Sequence, residues 1–99
     1  MFIKFNILTK LDLIKKIAIS TGLERGEVSV VIENLMFEIK DSVTNRKSVF
    51  LRGFGTFLAK KKAEKMGRNI TKNTAILIPE HFAPSFKPSK SFLKNVKEK

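Results

Sequence analysis

Six basic side chains fall within residues 60–72 of this 99-residue chain: Lys60, Lys61, Lys62, Lys65, Arg68 and Lys72, against a single acid, Glu64. Ammonium and guanidinium groups at that density neutralise and hydrogen-bond polyanions, phosphates above all. Lysine on a strand edge also guards against edge-to-edge aggregation, which accounts for one or two of these residues but not for six. Apolar, alternating runs flank the stretch at residues 49–59 and 75–78. That is the pattern of a two-stranded ribbon with a cationic shaft. Its apex is expected at Gly67-Arg68-Asn69-Ile70, where one aliphatic residue stands among polar ones.

Other chemistries find little support. The chain has no cysteine, so disulfides and thiolate metal sites are impossible, in keeping with a reducing compartment. His81 is the one histidine and has no spaced carboxylates beside it, so a metal site is not expected. Gly53-Phe54-Gly55 lacks the third glycine and the lysine of a phosphate loop. No nucleophile–base arrangement is visible. We therefore expect neither catalysis nor a cofactor. The formal net charge of +11 draws the chain to phosphate backbones or to anionic lipid. A lipid-bound protein would need a basic amphipathic helix, whereas the densest basic run here reads as extended. Residues 1–8 are somewhat apolar but are interrupted by Lys4 and Asn6, and no cleavage site follows. No stretch reaches the ~20 apolar residues of a membrane span. A cytoplasmic, soluble protein is expected.

The elements that would position these charges follow from periodicity. Thr9 and Asp12 make a helix start, Leu11, Ile14, Ile17 and Ala18 recur at helical spacing, and Gly22 offers a left-handed stop. A second helix begins near Glu24 or Arg25. It carries Val28, Val31, Ile32, Leu35, Met36, Ile39 and Val43 as a stripe, and Asn45 can end it in the left-handed conformation. Residues 48–52 then pair with 56–62 across Gly53-Phe54-Gly55, and residues 74–78 return as a third strand closed by Pro79. Pro84 and Pro88 keep residues 79–88 extended, and Ser89 caps a last short helix to about Lys97. The fold class is α+β: two N-terminal helices, a three-stranded antiparallel sheet with a long β-ribbon arm at about residues 60–74, and a short C-terminal helix. Seven phenylalanines from Phe37 to Phe92 are too many for so thin a layer, because a chain this small buries only ~60% of its unfolded surface. The expected unit is an intertwined dimer with one shared core, to which Leu35, Ile39, Phe54, Phe57 and Phe86 contribute.

Arg52-Gly53-Phe54-Gly55-Thr56-Phe57, Gly67-Arg68-Asn69, Ile78-Pro79 and Pro84-Ser85-Phe86-Lys87-Pro88 with Lys90 resemble the bacterial HU and integration host factor family. The likeness runs without gaps from about Leu8 to Lys97. It implies a domain over residues 9–97 and leaves residues 1–8 as a flexible extension. It also implies a dimer whose two arms wrap double-stranded DNA and enter the minor groove, a mode this family itself exemplifies. Arg68 and Asn69 would read the groove, although Asn69 could instead only shape the turn. Ile70 stands where the family has a proline wedge. It is apolar enough to part base pairs but lacks the preset backbone of proline. Lys60, Lys61, Lys62, Lys65 and Lys72 would meet phosphates along the arm, and Lys10, Lys87, Lys90 and Lys94 on the body. Arg52 would bind phosphate or pair with an acid of the second helix. Glu24 departs from the capping serine or threonine usual in the family. The expected function is non-catalytic binding and bending of duplex DNA with low sequence specificity, in association with the nucleoid. The alternative is a site-preferring bender of the integration host factor kind. A homodimer is expected, with a paralogous partner left open, and no residue argues against RNA as a further ligand.

Overall fold

The computed structural model describes residues 6–69 and 71–99. Three helices and five strands follow one another as α1 (Lys10–Thr21), α2 (Arg25–Thr44), β1 (Val49–Leu51), β2 (Gly55–Lys62), β3 (Lys65–Asn69), β4 (Thr74–Ile78), β5 (His81–Pro88) and α3 (Lys90–Lys97). They group into two compact units, residues 1–38 and 39–99, whose boundary falls inside α2.

In the first unit, α1 starts on a capping box. The Thr9 side chain accepts from the Asp12 backbone N–H, and the Asp12 carboxylate accepts from the Thr9 backbone N–H at 2.9 Å. The Thr9 backbone and hydroxyl hydrogen bonds, with a smaller pull from Lys15, hold the Asp12 carboxyl below its ordinary range. The capping contribution of that carboxylate is therefore present above the usual aspartate range and fades as pH falls through its lowered value. Gly22 ends α1 at φ 78°, donating its N–H to the Ala18 carbonyl at 2.9 Å. Ile14 of α1 and Val28 of α2 are the buried apolar residues here, and Lys10 forms an ion pair with Glu33.

The second unit opens with the end of α2. Lys47 N–H reaches Ser42 O and Arg46 N–H reaches Val43 O, a Schellman pattern that places Arg46, at φ 62°, in the left-handed position. The expected stop at Asn45 is thus displaced by one residue. Asn45 instead turns its side-chain amide back to the Asp41 carbonyl at 2.9 Å. The Arg46 guanidinium lies 4.1 Å over the Phe82 ring, a contact that supports the unusual backbone.

Strand order in the main sheet is β1-β2-β5, all antiparallel, while β3 and β4 form a separate ribbon. This corrects the strand expectation above. The third strand of the body is His81–Pro88, and Thr74–Ile78 belongs to the arm. Prolines hid β5, yet an outer strand tolerates them because every second N–H points away from its only neighbour. Pro84 and Pro88 occupy alternate positions opposite Ala59 and Gly55.

Phe54 sits in the turn between β1 and β2, with Gly53 at φ 79°. Its ring stacks on Phe92 of α3 (centroids 5.5 Å, 14° between planes) and touches Phe86 at 5.1 Å, and Phe57 and Phe86 meet at 4.7 Å. Ser89 fastens the same turn to α3. Its N–H donates to Phe54 O and its hydroxyl to Gly53 O, each at 2.9 Å, while the hydroxyl oxygen accepts from Phe92 N–H. Yet Val43 is the one buried large apolar residue described in this unit. Ile39, Val43, Phe57, Ala59, Phe82 and Phe86 line an open, apolar groove of about 590 Å³.

Gly55 is where β2 and β5 approach most closely: a Cβ there would lie 2.5 Å from Lys87 O and 2.6 Å from Phe86 Cζ. Gly55→Ala is expected to destabilise the fold by about 1–3 kcal/mol, the usual cost of overpacking. Calorimetry should show a clear fall in Tm, and an unchanged Tm would mean that β5 can retreat at no cost.

Candidate nucleic-acid interface

Alternation along paired strands sorts the basic residues by face. In the β2–β5 pairing, Phe57 opposes Phe86, Ala59 opposes Pro84 and Lys61 opposes Phe82. These residues, with Val49 and Leu51 of β1, make the phenylalanine face. The other face carries Thr56 opposite Lys87, Leu58 opposite Ser85, Lys60 opposite Ala83, and Lys62 opposite His81. Lys60, Lys62, Lys87 and His81 thus share one side of the sheet, all exposed. Lys61 projects from the opposite side, its ammonium 3.1 Å from the Glu80 carboxylate. Counting lysines in sequence treated residues 60–62 as one cationic run. Register divides them.

The ribbon departs further from the expected cationic shaft. Met66 pairs with Leu77 and Arg68 with Ala75 on one face, and Lys65 with Ile78, Gly67 with Ile76 and Asn69 with Thr74 on the other. Met66, Leu77 and Ile76 are exposed, so each face is largely aliphatic with one cation. Cationic density is therefore highest at the root, where β2 belongs to the main sheet. The apex also lies further along than expected, because Gly67, Arg68 and Asn69 are within β3 and the turn follows them. A Cβ on Gly67 would lie 2.8 Å from the terminal methyl of Ile78, which a small turn of that side chain would relieve. Asn69 shapes the tip: its side-chain oxygen accepts from Thr71 N–H at 3.0 Å and Lys72 N–H at 3.3 Å. Asn73 turns the chain into β4 at φ 53°. Ile70, the residue assigned to the wedge, lies outside the described residues, as do residues 1–5 of the expected N-terminal extension.

On α3, Lys90 and Lys94 are exposed and one turn apart, and Lys90 follows directly on the Ser89 cap that is tied to the Gly53 turn. Arg52 is exposed beside that turn and has no ion pair among the described residues. Lys10, in the first unit, is engaged by Glu33. Of the residues assigned to a shared core, Phe57, Phe86 and Ile39 are half-buried, whereas Phe54 and Leu35 remain 43% and 49% exposed. His81 is the interface residue that sequence reasoning passed over. Its signal lay in the alternation His81, Ala83, Ser85, Lys87 against Phe82, Pro84, Phe86, Pro88. Among the described residues no group of three or more His, Cys, Asp or Glu could hold a metal ion, and no helix is long and apolar enough to cross a membrane.

Residues 8–97 match the family described as bacterial DNA-binding protein. The chain is 33% identical to the DNA-binding protein HU of Thermus thermophilus over 90 residues, covering 91% of this chain and 93% of the relative. It is 35% identical to the integration host factor subunit alpha of Nitrobacter winogradskyi over 81 residues, covering 82% of this chain and 76% of the relative. Among solved structures, an Anabaena HU–DNA cocrystal structure superposes with a TM-score of 0.84 at 26% identity, over 90% of this chain and 97% of that one.

Lysines on one face can reach one duplex together, and Lys61 cannot join them without leaving Glu80. Lys60→Ala and Lys62→Ala are each expected to reduce the slope of log affinity against log salt, measured on duplex DNA, by about 0.9 per subunit. Lys61→Ala should leave the slope nearly unchanged. Equal effects at all three positions would contradict the division by register.

Proposed function

This chain belongs to the bacterial DNA-binding protein family of HU and integration host factor, and from that membership we propose that it is a non-catalytic architectural protein that binds and bends duplex DNA as an intertwined dimer. Its place of action is the nucleoid, in the cytoplasm. The observation that carries the reading is the sorting of the β2–β5 pairs: exposed Lys60, Lys62 and Lys87 on one face, which Phe50 of β1 shares, and Phe57, Phe82 and Phe86 on the other.

The dimer follows from surface that a lone chain leaves wet. Ile14, Val28 and Val43 are the only buried large apolar residues among those described, while Val31, Leu35, Phe37 and Phe50 stay exposed. At about 25 cal/mol per Å² of apolar surface, covering such side chains and the groove beside Phe57 and Phe86 is a strong drive to association. A second copy supplies the cover with the same surface, as a two-fold axis requires.

Binding begins with charge. Lys60, Lys62 and Lys87 neutralise phosphates and release counterions, and Arg52, Lys90, Lys94 and Lys10 extend the contact over the body. Such contacts position the protein without reading sequence. Each ribbon then lies along the minor groove. Arg68 and the Asn69 amide meet base and sugar edges, Lys65 and Lys72 meet flanking phosphates, and Met66, Ile76 and Leu77 give an aliphatic surface against the sugars. Ile70 at the tip parts one base step, a deformation that costs a few kcal/mol in architectural proteins generally. Bending brings more duplex onto the basic face, and those contacts offset the cost. The energy so spent favours flexible or already distorted DNA over any particular base sequence.

Two outcomes test this reading. Affinity for a short duplex should fall steeply with salt and be competed almost equally by random-sequence DNA. A flat salt response would overturn the reading, and strong resistance to random competitor would favour a site-preferring bender. Ile70→Ser should lower the bend angle, measured by energy transfer between labelled duplex ends, more than it lowers affinity. An unaltered angle would remove the wedge.

A further inference from the structure

His81 belongs to the basic face by register, directly opposite Lys62. Its Nδ1 lies 2.9 Å from the Pro79 carbonyl oxygen. A carbonyl only accepts, so Nδ1 must carry the hydrogen, and the neutral ring is left with a bare Nε2. Protonation then takes place at Nε2 and keeps the Nδ1 bond intact. It converts an acceptor into a charged donor without moving the ring.

The ring borders a shallow hollow of about 360 Å³ lined by Lys62, Ala63, Glu64, Lys65 and His81. The charged groups around it are Lys61 and Lys62 of β2, Glu64 in the connection, Lys65 of β3 and its own neighbour Glu80. Glu80 is held by Lys61, which leaves Glu64 as the acid facing the two lining lysines. An ordinary neutral imidazole would offer an acceptor to a phosphate oxygen, and acceptor against acceptor repels. An imidazolium offers an N–H and a positive charge. Imidazole is the side chain whose unperturbed charge changes between pH 5 and 8.

We infer that His81 is a protonation-gated phosphate contact, one per arm root, that seats a backbone phosphate of the duplex in the hollow beside Lys62 and Lys65 and makes DNA binding tighten as pH falls. The inference rests on the duplex-binding reading above and adds to it a ligand atom and a direction of pH dependence. The sign follows from linkage: phosphate stabilises the charged ring, so the complex holds the proton to higher pH than the free protein does. Affinity therefore rises as pH falls and the ring takes up its proton. At 0.15 M salt, one additional neutralised phosphate is worth roughly fivefold in affinity per arm root through counterion release.

The test is a fluorescence-anisotropy titration of a short duplex at pH 5.5 and 8.0 with the wild type, His81→Asn and His81→Lys. Both changes fall on an exposed position, so folding is not at stake. The α-amino group also titrates in this window but is common to all three proteins and cancels. The wild type should bind about fivefold tighter or more at the lower pH, with a salt slope steeper by about 0.9 per arm. His81→Asn should lose that difference, and His81→Lys should show the low-pH affinity and slope at both pH values. Equal pH ratios for wild type and His81→Asn, with duplex binding intact, overturn the inference and leave the duplex-binding reading standing. Absence of duplex binding by all three proteins at both pH values overturns both.

Discussion

The antiparallel register between β2 and β5 is the constraint on which the rest of this molecule depends. Eight consecutive pairs, from Gly55 opposite Pro88 to Lys62 opposite His81, fix which side chains share a face. Because side chains alternate, one choice of register sets both faces at once. Phe57, Phe82, Phe86 and the prolines go to one side with Lys61, and Lys60, Lys62 and Lys87 go to the other with Phe50. A slip of β2 by one residue would bring Lys60 and Lys62 to the side of Phe86 and turn Phe57 away from it. The close approach at Gly55 and the Ser89 hydrogen bonds to Gly53 and Phe54 pin the end of the ladder nearest α3. Recognition and stability are therefore two readings of a single pairing.

Incomplete burial and dimerisation are linked in the same way. Aromatic contacts between Phe54, Phe57, Phe86 and Phe92 are well formed, yet they close only one side of the groove that Ile39, Val43 and Phe82 line. A protein that needed only to fold could have replaced these side chains with smaller or polar ones. Retaining them makes each copy depend on its partner and gives two arms related by symmetry. Two arms can grip a duplex at separated points, which a single arm cannot provide.

Much of this was legible in the chain itself. Thr9, Gly22 and Ser89 marked helix ends by local chemistry that does not depend on distant residues, and all three stand where expected. The arm was legible from its flanking alternation. The strand identities were not, because Pro79, Pro84 and Pro88 argue against a ladder unless the strand is known to lie at an edge. That is a tertiary fact. Nor was the division of Lys60, Lys61 and Lys62 accessible from composition: adjacent residues on a strand point apart, and counting charges discards that information. Asn45 and Arg46 illustrate a subtler limit. Asn45 has the better intrinsic preference for the left-handed position, but the Arg46 guanidinium finds the Phe82 ring, and the stop moves by one.

The distribution of charge along the ribbon bears on how bending is divided between forces. Cations concentrate on the sheet and at the root, whereas the ribbon proper offers Met66, Ile76 and Leu77 with one cation on each face. Electrostatic attraction acts over about 8–10 Å at physiological salt, so the body and arm roots govern encounter and account for most of the salt dependence. The aliphatic ribbon gains only on contact, once water has been displaced from the groove. On the proposed mode of binding, attraction at the root would hold the duplex and the apolar contacts of the ribbon, which salt does not screen, would act once the two surfaces meet. A ribbon cationic throughout would not separate the two contributions in this way.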